Sequence, residues 1–212
     1  MPQRILVVGG SGPSGRLIVA QALAGGHTVS VLSRHPEQVG LTHPALTLVT
    51  GDVLGDPAAL AASMRGHDIV ISALGRGLKL RSENLMARST PAVIAAMKRA
   101  GVKRLIYLSA IGVGGTAPTA PLIFRIIWRV MLASIYGDKA IAEPFVLKSD
   151  LDWTILAPVI LTDGAGTGQF QLSEGSPTAG PWRVTRADLA TATIACVDDA
   201  SSVRKRLVVQ TT

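Results

Sequence analysis

The chain is poor in the features that would tie it to a disulfide framework, a membrane or nucleic acid. Of 212 residues only Cys196 is a cysteine. It cannot form an internal disulfide, and no thiol cluster offers metal ligands, so a reducing compartment, the cytoplasm, is the expectation. Charged residues are scarce at 17% while 48% of the chain is apolar, which excludes a disordered chain. No apolar run reaches the length of a bilayer span, so no integral membrane segment is expected. The start, MPQRILVVGG, has too short an apolar stretch for a signal peptide and reads as a first strand. Aromatics make up only 4%, and the basic residues are scattered apart from Arg204-Lys205-Arg206. Nucleic-acid binders gather such side chains into a patch, so no nucleic acid partner is expected. The excess of 21 basic over 14 acidic residues, a net charge of +7, is accounted for by a polyanionic ligand and a solvated surface. The four histidines (27, 35, 43 and 67) lack metal-ligand spacing, so no metal site is expected. With no internal repeat and no linker, residues 1–212 read as one domain.

What the chain does have is RILVVGGSGPSGR at residues 4–16. An apolar run, Ile5 to Val8, meets Gly9, Gly12 and Gly15 at three-residue spacing, and the apolar-periodic stretch Leu17–Leu23 follows. This is the strand, glycine turn and helix start that a nucleotide pyrophosphate needs. Gly9 permits the tight turn, Gly12 lets the backbone approach the phosphates, and Gly15 lets the helix pack close on the strand. Ser11, Pro13 and Ser14 complete the loop, and the helix N-terminus offers free N–H groups and a positive dipole end to an anion. An ordinary tight βα loop is the competing reading.

Apolar strands alternate with helical stretches over the first two thirds, which predicts an α/β fold: a single-domain, Rossmann-like, doubly wound parallel sheet with helices on both faces. The expected strands are Arg4–Val8, His27–Leu32, Leu46–Thr50, Asp68–Ser72, Arg104–Ser109, Trp153–Leu156 and Leu207–Gln210. Gly25-Gly26 stops the first helix, and Asp56-Pro57 opens a second that runs to about Arg65. Further helices are expected near Glu83–Ala100 and Asp138–Lys148, and after Thr185, where Asp188 follows three residues on. Stretches 112–121 and 163–180 read as long irregular segments on the carboxyl edge of the sheet, where they would shape a substrate pocket.

Several residues fall at the ends of these strands. Arg34, after Ser33, lies 19 residues beyond Gly15, where a NAD-selective site carries an acid; an arginine there suits the 2′-phosphate of NADP. Asp52 and Val53 follow strand three, where an aspartate can accept from an adenine amino group. Ala73, Leu74 and Gly75 close strand four with mostly small residues, and Arg76 beside them is within reach of phosphates. A solvent-exposed loop arginine is the lesser reading for Arg34; the other positions are weak singly but recur at strand carboxyl ends, where the cofactor would lie.

Together these residues resemble the atypical short-chain dehydrogenase/reductases of the NAD(P)H-binding group that includes biliverdin reductase B (flavin reductase) and NmrA-like proteins. GGSGPSG at 9–15, SR at 33–34, GDV at 51–53, SALG at 72–75, YLSA at 107–110, DKAIAEPFVLKSDLDWTILAP at 138–158 and TRADLA at 185–190 carry the match. The resemblance implies NADP(H) as cofactor. It also implies that Ser109 meets the nicotinamide or the substrate, that Lys139, opening K-x-x-x-E with Glu143, touches the nicotinamide ribose, and that the backbone at Pro158 meets the carboxamide. A strand-end cap for Ser109 and a helix-surface pair with Glu143 for Lys139 are the alternatives.

Two departures bear on the chemistry. The tyrosine–lysine pair of these enzymes is spaced by four; here Tyr136 precedes Lys139 by three, with Gly137-Asp138 between them reading as a helix start. Tyr136 is accordingly a weaker catalytic candidate than Ser109 or Lys139. The biliverdin/flavin reductase branch has a histidine after the proline, where this chain has Val159 and Ile160. The expectation is an NADP(H)-dependent reductase passing hydride to a flat, apolar small-molecule acceptor such as a flavin, quinone or conjugated carbonyl, since such acceptors need little help from a protein acid. The alternative is a non-catalytic NmrA-like redox sensor. The apolar stretch 122–135, with Trp128, is expected to wall the substrate pocket or to form a homodimer contact, so a monomer or homodimer is anticipated.

Overall fold

A computed structural model describes residues 1–75, 84–113 and 133–212, with the backbone only for 133–136. Arg76, the stretch 122–132 with Trp128, and the Tyr136 side chain lie outside that description. Ten strands and five α-helices are seen among the described residues: β1 (Arg4–Val8), α1 (Pro13–Ala24), β2 (Thr28–Ser33), β3 (Leu46–Thr50), α2 (Pro57–Met64), β4 (Ile69–Ser72), α3 (Leu85–Ala100), β5 (Arg104–Leu108), α4 (Ala133–Leu147), β6 (Asp152–Pro158), β7 (Ile160–Thr162), β8 (Phe170–Glu174), β9 (Arg183–Thr185), α5 (Arg186–Asp198) and β10 (Lys205–Thr211).

Eight strands form one sheet in the order β3-β2-β1-β4-β5-β6-β10-β8, parallel except for β8, which runs antiparallel to β10. The chain leaves β1 toward β2 and later returns to β4 on the other side of β1. This reversal opens a crevice at the carboxyl end of β1, where doubly wound folds bind their ligands.

Alternation along β1 builds the two faces. Ile5 and Val7 pack with Ile18, Val19 and Ala22 of α1 and Cys196 and Val197 of α5. Leu6 and Val8 pack with Leu60 and Met64 of α2, Val93 and Met97 of α3, and Ala142 and Val146 of α4. All four of these apolar β1 side chains are fully buried. Each contributes about 1.5–3 kcal/mol relative to exposure, so the strand carrying the glycine turn is held from both sides. Helix ends follow the local chemistry. The Asp56 carboxylate accepts the Ala58 and Ala59 N–H groups at the start of α2, and Thr185 Oγ1 accepts the Asp188 N–H at the start of α5.

The structure corrects two sequence expectations. The stretch 163–180 is not irregular throughout: β8 lies within it, and β9 just beyond pairs with β7. Glycines obscure the signal, but they flank the strand, and Gly175 takes a left-handed φ of +75° at its exit. The helix expected from Asp138 is already formed at Ala133, the first described residue of this segment, so Gly137-Asp138 lies inside α4. The capping chemistry of Asp138 is used on a neighbouring helix. Its buried carboxylate accepts the Met86 and Ala87 N–H groups of α3, at 2.9 and 2.8 Å.

Candidate functional site

The glycine turn is built so tightly that two of its glycines have no substitute. Gly9 takes φ +85°, and a Cβ there would lie 2.8 Å from the Ala73 carbonyl carbon and oxygen. The β4 exit, Ala73-Leu74, is thus pressed against the turn, and the Ala73 N–H donates to the Val8 carbonyl at 2.8 Å. A Cβ on Gly15 would meet the Gly9 carbonyl oxygen at 2.2 Å and Gly10 Cα at 2.8 Å, so helix and turn touch backbone to backbone. Gly12 differs: its φ is −75°, and the nearest atom to an added Cβ is the Gly9 oxygen at 3.4 Å. Its missing side chain leaves open space that an anion's approach requires.

The α1 N-terminus has no side-chain cap, whereas α2 and α5 are capped by their own side chains and α3 by Asp138. First-turn N–H groups without a protein acceptor, at the positive end of the helix dipole and behind a glycine, fit a dinucleotide pyrophosphate.

Strand two brings up the next residues. Ser33 Oγ lies 3.1 Å from Ser11 Oγ and accepts the His35 N–H at 3.1 Å, which ties the β2 exit to the glycine turn. Arg34 is exposed and has no carboxylate partner among the described residues, leaving its guanidinium available to a phosphate beside the turn. Asp52 is exposed; its Oδ1 accepts the Leu54 N–H at 3.0 Å, closing a small turn after β3, and Val53 packs half-buried against the core. Gly75, after Ala73-Leu74, is exposed, with open space where a side chain would stand. Asp52, Arg34, the glycine turn and the β4 exit thus follow one another along the carboxyl edge in the strand order β3-β2-β1-β4.

At the other end of this edge, Ser109 directly follows β5 and is buried. Its N–H donates to the Leu156 carbonyl at 2.8 Å. Lys139 Nζ, from α4, donates to the Ser109 carbonyl at 2.8 Å rather than projecting from a helix surface. Burial of its ammonium end pushes the Lys139 pKa down to about 8, against the upward pull of the Glu143 and Asp138 carboxylates. The Ser109 hydroxyl donates to Glu143 Oε1, and the other Glu143 oxygen pairs with the Arg206 guanidinium of β10. The sequence pattern suggested a Lys139–Glu143 pair. In the fold Glu143 faces Ser109 and Arg206 instead, and Arg206 had shown only as one of three consecutive basic residues. Its position in β10, one residue before the apolar run Leu207–Val209, is the signal that places it in the sheet.

Tyr136 lies in the same helix as Lys139. The structure therefore removes the helix-start argument against it. Pro158 is the last residue of β6, and its carbonyl already accepts the Ile111 N–H at 2.9 Å.

Two grooves are seen among the described residues. One of about 320 Å³ runs between α3 and α4 and is lined by Pro91, Ile94, Lys98 and Phe145. A second of about 300 Å³, lined by Val53, Leu54, Pro57, Leu60, Ala92 and Arg99, adjoins the Asp52 turn. Neither includes the glycine turn, Ser109 or Lys139. The polar groups able to hold a cofactor converge at the strand ends, so the strand ends are the candidate site.

Comparison with known proteins bears on the fold and the family. A photosystem II assembly factor, Ycf39, of Synechocystis is 29% identical over 157 residues, covering 72% of this chain but 43% of its own length. The chain thus spans less than half of that relative. Among solved structures, the oxidoreductase ylbE of Lactococcus lactis superposes with a TM-score of 0.83 at 23% identity, covering 99% of this chain and 91% of its own. ChuY of Escherichia coli O157:H7, described as an anaerobilin reductase, superposes with a TM-score of 0.81 at 25% identity, covering 97% and 96%. Among the described residues no helix is long and apolar enough to cross a membrane. Residues 9–200 match the NAD(P)H-binding family, and the chain belongs to that family.

Proposed function

We propose that this protein is an NADP(H)-dependent reductase that passes hydride to a flat small-molecule acceptor such as a flavin, quinone or conjugated carbonyl. The observation that carries the reading is the join of two half-sites along one sheet edge. An anion-ready glycine turn with the unpaired Arg34 stands at one end, and Lys139 seated on the Ser109 carbonyl stands at the other. Arg34 would take the 2′-phosphate by charge-assisted hydrogen bonds and so favour NADP(H) over NAD(H). Asp52 would accept from the adenine amino group. Lys139, with one N–H spent on Ser109, keeps two for the hydroxyls of the nicotinamide ribose. Bound NADPH would supply the hydride.

The chain's own part is then binding and orientation. Its Ser109 hydroxyl is turned to Glu143 rather than offered as an acid, which suits an acceptor that takes hydride without protonation by a side chain. The likeness to a protein described as an anaerobilin reductase supports a reductase reading. The test is loss of NADPH absorbance with purified protein against a panel of flavins, quinones and conjugated aldehydes. Turnover with a member of the panel is expected. Tight NADPH binding with no turnover across the panel would instead indicate a redox sensor of the NmrA-like kind.

A further inference from the structure

Ser109 has almost every polar group committed within the protein. Its N–H goes to the Leu156 carbonyl and its own carbonyl receives Lys139 Nζ, each at 2.8 Å. Its hydroxyl hydrogen goes to Glu143, which is 1% exposed and pairs through its second oxygen with Arg206. A carboxylate accepts only, and a guanidinium donates only. Glu143 therefore cannot donate to Ser109 Oγ, and Arg206 holds Glu143 in place. What the Ser109 hydroxyl has left for a ligand is a lone pair.

The neighbouring strand end is also committed. A nicotinamide carboxamide carries two N–H hydrogens that need an acceptor. Pro158 has no N–H, its carbonyl already accepts the Ile111 N–H at 2.9 Å, and the Val159 N–H donates to the Val209 carbonyl at 3.1 Å. The Ser109 hydroxyl, with its hydrogen spent on Glu143, can meet those hydrogens only as an acceptor. We propose that Glu143 and Arg206 are positioning residues that fix the Ser109 hydroxyl as an acceptor, and that this acceptor takes an N–H of the nicotinamide carboxamide. The inference rests on the dinucleotide reading of the cleft and adds a polarity to it.

Glu143→Gln tests that polarity at nearly constant volume. Arg206, a donor only, turns the new amide oxygen toward itself. The amide NH₂ then donates to Ser109 Oγ, and the Ser109 hydrogen must point into the cleft. The probes are NADP⁺ and its acetylpyridine analogue, in which a methyl ketone of similar size replaces the carboxamide and removes its N–H groups. Binding of both is measured by calorimetry.

Wild-type protein is expected to bind NADP⁺ roughly tenfold more tightly than the analogue, the worth of one hydrogen bond. In Glu143→Gln the ratio falls to about one or reverses, and in Ser109→Ala it falls to about one. A role limited to folding would weaken both ligands alike and leave the ratio unchanged. Equal binding of the two in wild type, or a wild-type ratio in Glu143→Gln, overturns the inference while leaving the dinucleotide site intact. If Glu143→Gln does not fold, Ser109→Ala decides alone, and an unchanged ratio there overturns it. Absence of binding by both ligands refutes the dinucleotide reading itself and this inference with it.

Discussion

Gly12 and Gly15 sit three residues apart in one loop, yet alanine should act on them in opposite ways. At Gly15 the added methyl would stand 2.2 Å from the Gly9 oxygen and 2.8 Å from Gly10 Cα, both backbone atoms that no rotamer change can move aside. Helix α1 must shift off β1. Overpacking of this kind costs about 1–3 kcal/mol or more, and each kcal/mol lowers Tm by roughly 2–4 °C in a domain of this size. At Gly12 the methyl meets nothing closer than 3.4 Å, and the φ of −75° suits any residue. Gly12→Ala should therefore fold as well as wild type, or gain up to about 1 kcal/mol from a stiffer unfolded chain. It nevertheless places a methyl where the pyrophosphate must approach the backbone. Loss of one charge-assisted contact, about 1.5–3 kcal/mol, corresponds to roughly ten- to a hundredfold in NADPH affinity. Thermal unfolding and calorimetric titration of both variants read the two effects separately. Gly12→Ala with wild-type NADPH affinity would falsify the assignment of this turn to the pyrophosphate. Gly15→Ala with wild-type Tm would contradict the packing account.

Three further outcomes follow from named contacts. Arg34→Ala should lower NADPH affinity roughly ten- to a hundredfold and leave NADH affinity nearly unchanged; equal wild-type affinities for the two cofactors would remove its assigned role. Lys139, with its pKa near 8, should lose its proton and its attraction to the cofactor as pH rises through that value. NADPH affinity in wild type should then fall between pH 7 and pH 9.5, while Lys139→Arg, charged throughout, should show a flat profile. The same depressed value leaves the unfolded chain holding the proton more tightly between about 8 and its ordinary 10.5, so this residue's contribution to stability should rise with pH in that window. Asp188 is buried and accepts from the Thr167 and Gly168 N–H groups and from the Thr167 and Thr185 hydroxyls. Burial pushes its pKa up, but these bonds together outweigh it and hold the carboxyl below the usual range. Asp188→Asn, which turns a donor toward donors, should cost about 2–4 kcal/mol in urea unfolding at neutral pH. The deficit should shrink as pH falls below the ordinary carboxylate value of about 3.9, where wild type loses the same contribution.

What the sequence made legible was local. The apolar run before three spaced glycines, the Asp56-Pro57 start and the Thr185 cap each encode their structure within a few residues, and each stands where it was expected. What escaped were features whose partners lie far away in the chain. Asp138 looked like the start of its own helix because aspartate favours caps; it caps α3, some 50 residues earlier. Strand β8 was hidden among glycines because its partner is β10, more than thirty residues on. The Ser109–Glu143–Arg206 chain joins three elements, and no spacing rule links a strand-end serine to an arginine 97 positions later. The glycine turn was therefore readable from local pattern, while the Ser109–Glu143–Arg206 chain was not.

Hydride transfer itself gives the most direct test. NADPH carrying deuterium at the pro-R or the pro-S position of nicotinamide C4 is mixed with the protein and each acceptor of the flavin, quinone and conjugated-aldehyde panel. The reduced nicotinamide signal and the deuterium left on the cofactor are then followed. The account predicts that NADPH is oxidised with an acceptor from the panel and that deuterium is lost from one face only, since orientation in the cleft is the chain's main contribution. NADPH that binds tightly yet stays reduced with its label intact across the whole panel would contradict it.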